Sequence, residues 1–376
     1  MGVKIVFTGG GTGGHIFPII AIARELRRLH FGEDLSLYYY GPKDDFSSAV
    51  LSQEGVKIKI IPGGKLRRYF GIGTIFSNFI DIFFRIPWGI FKAFWSLVFL
   101  SPELIFSKGG YGSLPTVIAG WLLRTPIFLH ESDISPGLAN RFLSRFAFEV
   151  FTSFPRTEFF SPRKMTLIGN PIRRELLEGS KEEAEELLKL TGEKPVILVF
   201  GGSQGAQKIN EAIFSILSDF LANFEIIHQC GSKNFEEAKN LVMATLNPEL
   251  RRYYHLYPFL KEGDLCQAYQ AADIIVSRAG AGSIFEIAAV GKPSILIPIS
   301  GSAQNHQYKN AYAYAATGAT FVIEEENLTP RFFMEKLRHM SLSPDILSNM
   351  SKKALDFSRP RAAQIIASYL LEYLKI

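Results

Sequence analysis

His15 stands directly behind a glycine-rich run, residues 9–14 (Gly-Gly-Gly-Thr-Gly-Gly), near the start of the chain. A buried-type strand precedes this run, and apolar residues at helical spacing follow it. Glycines let the backbone approach an anion closely, and a helix N-terminus presents unpaired N–H groups to it. An imidazole at the same place can accept a proton at neutral pH. The pattern therefore predicts a phosphate-type loop with a proton-transfer residue at its mouth, and an ordinary histidine at a helix N-terminus is the alternative.

The same loop satisfies the Gly9-x-Gly11-x-x-Gly14 fingerprint of NAD-dependent enzymes. That fingerprint also needs an acidic residue at the end of the second strand, where it binds the ribose. Here the second strand, residues 35–40, runs into a Gly-Pro-Lys turn, and two aspartates follow only after the proline. The sequence therefore disfavours a nicotinamide cofactor, and we expect no cofactor.

Later segments carry groups suited to hydroxyl-rich ligands. Residues 277–289 contain a glycine turn, and Glu286 is expected in the first turn or so of the helix that follows. There its carboxylate could accept both hydroxyls of a ribose, or merely complement the helix dipole. Residues 303–311 offer amides suited to sugar hydroxyls, with a solvated helix start as the alternative. The acidic run 324–326 is typical of a solvated loop.

Strand-like runs alternate with helical patterns along the chain, which predicts an α/β fold with parallel sheets. Residues 195–206 repeat the opening pattern of strand, glycine turn and helix, which favours two Rossmann-like domains facing each other across a cleft. Ligands of such sheets bind at the carboxyl ends of strands, where the polar clusters 107–115 and 130–136 also fall. The predicted strands span residues 3–8, 35–40, 57–61, 104–107, 126–130, 148–153, 195–200, 225–229, 253–257, 273–277, 293–298 and 320–323.

Composition and charge limit the class of protein. The 376 residues are 47% hydrophobic and include 32 Phe, which fits two domains with their own cores. Cys230 and Cys266 form no disulfide framework and are expected to be buried thiols, and no signal peptide is expected before the first strand. Residues 1–168 hold 19 Lys and Arg against 12 Asp and Glu, a charge of +7, whereas the rest carries −2. An anionic membrane surface is therefore a candidate partner, and nucleic acid is not expected because no binding module is recognisable.

An apolar segment, residues 65–100, has two interpretations. Phe76, Phe79, Ile80, Phe83 and Phe84 fall at helical spacing, which fits a pair of core-facing helices. Alternatively these aromatics enter lipid while basic neighbours meet the head groups. The charges within the run and a proline at position 87 argue against a membrane-spanning helix. The basic neighbours are Lys65, Arg67, Arg68, Arg85 and Lys92.

In order and spacing, motifs along essentially the whole chain resemble those of the MurG family of bacterial glycosyltransferases. They occupy residues 10–15, 63–68, 107–111, 169–171 with Arg173, 201–206, 277–280, 286–289, and 305–307 with Asn310. The resemblance implies the GT-B fold and three parts of the chain. Residues 1–168 would form an acceptor and membrane-associating domain, residues 169–357 a UDP-sugar-binding domain, and residues 358–376 a helix that could pack back on the first domain.

The resemblance also implies a role for particular residues. His15 is the candidate general base, with His130 and Glu131 next in line. Gly109, Gly110 and Tyr111 are expected on the acceptor side. Arg173 and the loop of Ser203, Gln204 and Gly205 would hold the UDP diphosphate, Glu286 the ribose, and Gln307 and Asn310 the sugar. The remaining expected UDP-sugar contacts are Thr12, Gly13, Gly14, Asp133, Gly280 and His306.

One motif departs from the family, which usually has His-Glu-Gln-Asn where this chain has His130-Glu131-Ser132-Asp133. An aspartate cannot donate the amide hydrogen bonds of an asparagine, so the contact made at Asp133 is expected to differ. No Asp-x-Asp motif occurs in the chain, and no metal is expected at the diphosphate.

The implied reaction is inverting transfer of N-acetylglucosamine from UDP-N-acetylglucosamine to the C4 hydroxyl of undecaprenyl-pyrophosphoryl-muramyl-pentapeptide, in peptidoglycan synthesis. The enzyme would bind peripherally at the cytoplasmic face of the membrane, with other cell-wall enzymes as further candidate partners. A GT-B transferase acting on another lipid, such as a diacylglycerol, is one alternative. A UDP-sugar epimerase and a non-catalytic binding module are the others.

Overall fold

The computed structural model describes residues 2–10, 12–30, 32, 34–65, 67, 72–155, 159–201, 206–301 and 303–375. The chain divides into two compact units. The first unit comprises Met1–Arg173 together with Pro360–Ile376, and the second comprises Arg174–Arg359. The division after Arg173 falls a few residues beyond the boundary expected from the sequence.

A parallel sheet of seven strands forms the centre of the first unit, in the order β3-β2-β1-β4-β5-β6-β7. Ile5 of the central strand lies opposite Leu37 on one side and Leu104 on the other. Six of these strands match the predicted ones closely. The buried central strands are continuous apolar runs, as expected of strands covered on both faces, whereas β3 is an exposed edge strand. The strands are β1 (Lys4–Thr8), β2 (Ser36–Gly41), β3 (Lys57–Ile60), β4 (Leu104–Ser107), β5 (Ile127–Glu131), β6 (Glu149–Thr152) and β7 (Met165–Leu167).

Helices cover both faces of this sheet. The face of α1 that carries Ile16, Ile19 and Leu26 is fully buried against one side, as the helical spacing predicts. On the other side Ala93, Leu97 and Val117 pack on the sheet. The helices are α1 (Gly13–Leu29), α2 (Asp45–Gln53), α3 (Ile72–Ile80), α4 (Ile86–Leu100), α5 (Leu114–Leu122) and α6 (Leu138–Leu143), with a π-helical turn at Asp81–Arg85 and a 3-10 turn at Pro162–Lys164.

The second unit repeats this architecture with six parallel strands in the order β10-β9-β8-β11-β12-β13. Separate apolar cores lie on its two faces, and Cys230 and Cys266 are free, buried thiols, as predicted. The strands are β8 (Val196–Phe200), β9 (Glu225–Gln229), β10 (Tyr254–Tyr257), β11 (Ile274–Ser277), β12 (Ser294–Leu296) and β13 (Thr320–Val322). The helices are α7 (Lys181–Leu188), α8 (Gln207–Ser215), α9 (Leu217–Asn223), α10 (Phe235–Thr245), α11 (Pro248–Arg251), α12 (Glu262–Ala271), α13 (Ala281–Ala289), α14 (His306–Ala315), α15 (Pro330–Ser341) and α16 (Pro344–Phe357), with 3-10 turns at Arg174–Leu177, Ala303–Asn305 and Glu325–Asn327.

The last helix, α17 (Ala362–Leu374), belongs to the first unit. Ile366 and Leu370 are fully buried in the same core as α1. The Tyr369 ring packs edge-on against Phe128, and its hydroxyl donates to Glu149. The end of the chain therefore completes the core that begins with the first strand.

Residues 72–100 form one continuous helical segment in which α3, the π-helical turn and α4 follow each other directly. Phe76 is 65% exposed, Phe83 61% and Phe99 82%, and Phe79 and Phe84 are also exposed, so the core-facing interpretation of this stripe is wrong. The buried residues of α4 are instead Gly89, Ala93 and Leu97, which lie on its other face. By length and composition alone, residues 73–100 form a helix that could cross a membrane. The charged residues and the proline within it therefore do not exclude a membrane-spanning helix on these two criteria.

Candidate active site

In the first unit the chain leaves the sheet in opposite directions after β1 and β4, which are neighbours in the strand order. Ligands of open α/β sheets bind at such a switch point, outside the carboxyl ends of the strands. The loop after β1 contains Gly9, Gly10 and Thr12, and the loop after β4 contains Lys108–Ser113. These two loops form the candidate site of the first unit.

His15 lies in the first turn of α1, which begins at Gly13 and has Thr12 as its N-cap residue. The half-buried imidazole has its Nδ1 2.8 Å from the Thr12 hydroxyl. Its Nε2 faces the second loop, 2.9 Å from the position that a Cβ at Gly110 would occupy. A general base at Nε2 requires the tautomer that donates its Nδ1 proton to Thr12, because Nε2 then keeps its lone pair.

The environment of His15 keeps the ring neutral. Burial, and then the charge of Lys108, lower the pKa of His15 from 6.5 to about 4. The imidazole is therefore unprotonated at neutral pH and able to accept a proton.

Glycine is required at two consecutive positions of the loop after β4. Gly109 and Gly110 have φ angles of +83° and +81°, in the left-handed region that side chains rarely adopt. A Cβ at Gly109 would lie 2.0 Å from the Asn140 amide oxygen, and one at Gly110 would meet His15. The two glycines thus allow the backbone to pass between the candidate base and α6.

His130 is fully buried at the end of β5, with both ring nitrogens engaged. Its Nε2 is 2.9 Å from the Gly169 carbonyl oxygen, which can only accept, so Nε2 carries the proton. Nδ1 therefore accepts a hydrogen bond of 2.8 Å from the Lys108 ammonium group. Because neither nitrogen is left with an open lone pair, His130 is a poorer candidate for the base than His15.

Glu131 is similarly enclosed. The residue is 4% exposed, and its carboxylate accepts hydrogen bonds from the Asp133 backbone N–H at 2.9 Å and the Asn140 amide at 2.8 Å. Burial is the main cause that raises the pKa of Glu131 well above its ordinary value. With these oxygens holding the loop that follows β5, Glu131 is better suited to shape the site than to take a proton from a substrate.

Arg173 and Asp133, expected to contact the UDP-sugar, both belong to the first unit. Arg173 is 3% exposed, and its guanidinium lies 4.4 Å from the centre of the Phe17 ring in α1. Asp133 is half-buried directly after β5, and Tyr111 is half-buried after the two glycines. The first unit therefore gathers the predicted residues from positions 12 to 173 along the carboxyl edge of one sheet.

In the second unit the switch point lies between β8 and β11. The loop after β8 carries Ser203, Gln204 and Gly205, which lie outside the described residues. Gly280 follows β11 and is the N-cap residue of α13. This strand, turn and helix arrangement is the one that the sequence predicts.

Glu286 lies further along α13 than predicted. It is the sixth residue of a helix that begins at Ala281, so its carboxylate is in the second turn and not at the helix start. The Tyr269 hydroxyl donates a 3.0 Å hydrogen bond to it. The sequence predicts this carboxylate in the first turn or so of the helix, and the structure has it slightly further along, because the helix begins directly after Gly280.

Gln307 and Asn310 lie in α14, of which His306 is the first residue. The Gln307 side-chain oxygen accepts from the Ile299 backbone N–H at 3.1 Å. Asn310 is fully buried, and its amide donates to the Ala279 carbonyl at 3.4 Å. The two amides thus support the loops after β12 and β11, respectively. The alternative interpretation, a solvated helix start, does not fit these two residues.

A buried ion pair organises the same edge of the second sheet. Arg278 donates to Glu325 and, at 3.1 Å, to the Ile297 carbonyl. Glu325 also accepts from the Ser300 backbone N–H at 3.1 Å. The prediction of a solvated 324–326 loop is therefore wrong for Glu325, whose charge is compensated by an arginine far away in the sequence.

Sequence reasoning missed several residues of the site. Lys108 and Asn140 hold the loops of the first unit, and Arg278 and Glu325 hold those of the second. The signal for Lys108 is its position between a strand end and a glycine pair. Nothing local marks Asn140, because it lies in α6 and its partners, His130 and Glu131, lie in β5.

Comparison with known proteins identifies both units. Residues 5–152 match the model of the glycosyltransferase family 28 N-terminal domain, and residues 196–366 match that of the family 28 C-terminal domain. The UDP-N-acetylglucosamine–N-acetylmuramyl-(pentapeptide) pyrophosphoryl-undecaprenol N-acetylglucosamine transferase of Clostridium botulinum (strain Loch Maree / Type A3) is 36% identical over 97% of this chain and 99% of its own. The chain belongs to the MurG family.

Further MurG family relatives agree with this assignment. An enzyme of the same name from Bacillus cereus, numbered 2, is 34% identical over 98% of this chain and 99% of its own. The crystal structure of Acinetobacter baumannii MurG superposes with a TM-score of 0.74 and 25% identity, covering 98% of this chain and 99% of that one. The chain is therefore a glycosyltransferase with the GT-B architecture of two Rossmann-like domains, as the sequence predicts.

A structure outside the MurG family shares the fold alone. The UDP-GlcNAc 2-epimerase from Neisseria meningitidis bound to UDP-GlcNAc has a TM-score of 0.63 at 15% identity, covering 98% of this chain and all of the other. Because fold does not determine function, the epimerase is a likeness of architecture only.

Proposed function

We propose that this chain transfers N-acetylglucosamine from UDP-N-acetylglucosamine to the C4 hydroxyl of undecaprenyl-pyrophosphoryl-N-acetylmuramyl-pentapeptide, with inversion at the anomeric carbon. The observation that carries the proposal is 36% identity over 97% of the chain to a transferase of that name. The unprotonated His15 between two glycine loops supplies a group that fits the chemistry.

In the proposed mechanism His15 Nε2 removes the proton of the C4 hydroxyl as its oxygen attacks the anomeric carbon. The new C–O bond forms on the face opposite UDP while the bond to the diphosphate oxygen breaks, which inverts the centre. The leaving diphosphate takes the electron pair and gathers negative charge. Helix N-termini and the Arg173 guanidinium stabilise that charge.

The second unit binds the donor in this proposal. The Ser203 loop and Gly280 approach the diphosphate, Glu286 accepts from the ribose, and the 306–310 segment contacts the sugar. Among the described residues, support comes from Gly280 and Glu286, which follow β11 at the carboxyl edge of the sheet, and from α14, which follows β12. Asn310 acts by holding the Ala279 turn, because its amide is fully buried and already donates there.

The first unit binds the acceptor and the membrane. Its docking surface consists of the exposed aromatic side chains of residues 76–99. Four large rings that follow the first stripe continue it along the helix, and the core of the unit does not account for their exposure. The docking surface comprises Phe76, Phe79, Phe83, Phe84, Trp88, Phe91, Trp95 and Phe99.

Basic groups border this surface. A groove of about 450 Å³ is lined by Lys59 and Lys92 together with Trp88, Phe91 and Trp95. Among the described residues neither lysine forms an ion pair, so both ammonium groups are available to anionic head groups, each contributing about 1 kcal/mol. Arg67 and Arg85 are partly engaged, since both donate to the buried Asp81, and Arg68 lies outside the described residues.

We infer that the enzyme binds peripherally at the cytoplasmic face of the membrane, because the polyprenyl tail of the proposed acceptor stays in lipid. The docking surface supports this inference. Head groups attract the bordering lysines, and the aromatics enter the interface. Other cell-wall enzymes are further candidate partners.

An acceptor panel with labelled UDP-N-acetylglucosamine tests the proposed function. Label should pass to the polyprenyl-pyrophosphoryl muramyl-pentapeptide and not to diacylglycerol, and UDP release should depend on that acceptor. Transfer to diacylglycerol would assign a different lipid substrate. Epimerised sugar formed without any lipid would assign an epimerase, and UDP release independent of acceptor would also contradict the proposal.

A further inference from the structure

Lys108 is a buried cation of the first unit's site. It directly follows β4, is 3% exposed, and its backbone N–H donates to the Thr8 carbonyl at 2.8 Å. Its ammonium group donates to His130 Nδ1 at 2.8 Å and to the Ser132 hydroxyl. Ser132 in turn donates to Asn170 at 2.8 Å. The lysine thus connects the loops after three strands, β4, β5 and β7.

Lys108 also lies beside the candidate base. A Cβ at Gly9 would be 3.5 Å from the Cβ atoms of both His15 and Lys108, so the two side chains leave the backbone around one glycine. Another ionisable group at this loop is the Tyr39 hydroxyl, which donates to the Gly9 carbonyl at 3.2 Å. It remains neutral because burial raises its pKa, and the nearby Asp44 and Tyr111 act in the same direction. Facing Lys108 from the end of β5 are the neutral His130 and the carboxyl groups of Glu131 and Asp133.

The substrates of the proposed reaction are anionic, and this creates a difficulty for a histidine base. Two diphosphates bring negative charge towards His15, and nearby negative charge favours the protonated imidazole. A protonated His15 cannot accept the proton of the C4 hydroxyl. A fixed positive charge beside the ring would oppose this effect.

We propose that Lys108 is a positioning residue whose ammonium group, anchored by His130 and Ser132, keeps His15 unprotonated when the anionic substrates are bound. This inference rests on the proposed function, in which His15 takes the proton of the acceptor. Lys108 remains charged at neutral pH, because burial lowers its pKa only to about 8 while Glu131 and Asp133 act in the opposite direction.

Ser132 and Asp133 both support the Lys108 ammonium group. The Ser132 hydroxyl accepts a hydrogen bond from the Lys108 ammonium group and donates one to the Asn170 side-chain oxygen. The Asp133 carboxylate supplies a compensating negative charge. The Lys108 ammonium group, the Ser132 hydroxyl and the Asp133 carboxylate therefore form one cluster in this chain.

The test removes the charge at position 108 and follows the protonation of His15. Lys108→Met abolishes the ammonium group, and Lys108→Gln also does so but keeps N–H donors for His130, which protects the fold. The matched control is Lys57→Met, at an exposed lysine on the edge strand β3. Full-length protein labelled with [13Cε1]histidine is titrated by NMR, with the His15 signal assigned from His15→Asn.

In both neutral variants the His15 midpoint should rise by about one pH unit or more, the scale for losing a nearby charge. The acid limb of kcat should move upward with it, whereas Lys108→Arg and Lys57→Met should resemble wild type. An unchanged midpoint in a folded neutral variant, or an equal shift in Lys57→Met, overturns the proposal. If Lys108 had only a structural role, its substitution would lower kcat at every pH without moving the acid limb of the pH profile. The titration reports His15 independently of catalysis, so its failure is distinct from failure of the acceptor panel.

Discussion

His15 is the residue on which the proposed chemistry depends most directly. His15→Ala should lower kcat by about 100 to 10,000-fold, the usual contribution of a general base, with little change in donor affinity. The reason is that a base acts mainly in the transition state. Turnover and UDP affinity are measured side by side, and a variant that retains nearly full turnover would require another base.

The pH dependence of the wild type follows from the lowered pKa of His15. A base with a pKa of about 4 is unprotonated above that pH and loses its function as the pH falls through it. We therefore expect kcat/KM, which reports the free enzyme, to be insensitive to His15 between pH 6 and 7.5. A fall in kcat/KM near the ordinary histidine pKa of about 6.5, abolished in His15→Gln, would contradict this environment.

Glu286 is the residue proposed to bind the ribose of UDP. Glu286→Ala should weaken UDP binding by about 1 to 3 kcal/mol, the scale for losing a charged hydrogen-bond partner. Tyr269→Phe, which removes a donor to that carboxylate, should cost less. Calorimetry with Glu186→Ala on α7 as control measures both, and unchanged UDP affinity in Glu286→Ala would remove the residue from the donor site.

Individual buried charges were the least predictable features. Lys108 meets His130 and Ser132, which are 22 and 24 residues away, and Arg278 meets Glu325 at a separation of 47. A local sequence pattern records neither partner, so Glu325 looks solvated and Lys108 looks like part of a polar turn. The glycines and His15 could be predicted because a strand, a turn and a helix start are local.

At the scale of elements, the glycine turn after β4 sets the distance between the loop after β1 and the loop after β4. Gly110→Ala should cost about 1 to 3 kcal/mol of unfolding free energy from backbone strain alone, and it should also lower kcat because the new Cβ meets His15. Gly263→Ala is the control, since a Cβ there meets nothing within 4 Å. Equal stability and turnover in the two variants would show that the turn is not constrained.

The exposed helical segment 72–100 makes a second prediction at this scale. Phe79→Ser with Phe83→Ser should leave the protein folded but prevent it from sedimenting with phosphatidylglycerol vesicles, because both rings are exposed. Leu187→Ser with Leu342→Ser removes apolar groups of the second unit that are even more exposed, and this variant should sediment like wild type. Unfolding of the first variant, or unchanged sedimentation, would move the docking surface elsewhere.

Strands were easier to predict than this segment. A parallel strand covered on both faces is an unbroken apolar run, whereas β7 was missed because it has three residues and two are exposed. Aromatic residues at helical spacing are equally typical of a core helix and of an interfacial one. The sequence could not choose between them, since the choice depends on which face α4 turns towards the sheet.

At the scale of the whole molecule, the end of the chain stabilises its beginning. Ile366 is fully buried in the core shared by α1 and α17, whereas its neighbour Ile365 is 48% exposed. Ile366→Ala should cost about 2 to 5 kcal/mol of unfolding free energy, and Ile365→Ala should cost far less. Urea denaturation of the full chain measures both, and equal effects would mean that α17 contributes little to the first unit.

The structure of the product tests the central claim most directly. The account predicts that wild-type protein, given UDP-N-acetylglucosamine and the muramyl-pentapeptide lipid, forms a β-(1→4)-linked disaccharide, because the acceptor oxygen enters opposite the leaving UDP. Proton NMR of the disaccharide released from the lipid gives both the linkage position and the anomeric configuration. An α-linked product, a linkage to another hydroxyl, or epimerised sugar in place of a disaccharide would contradict it.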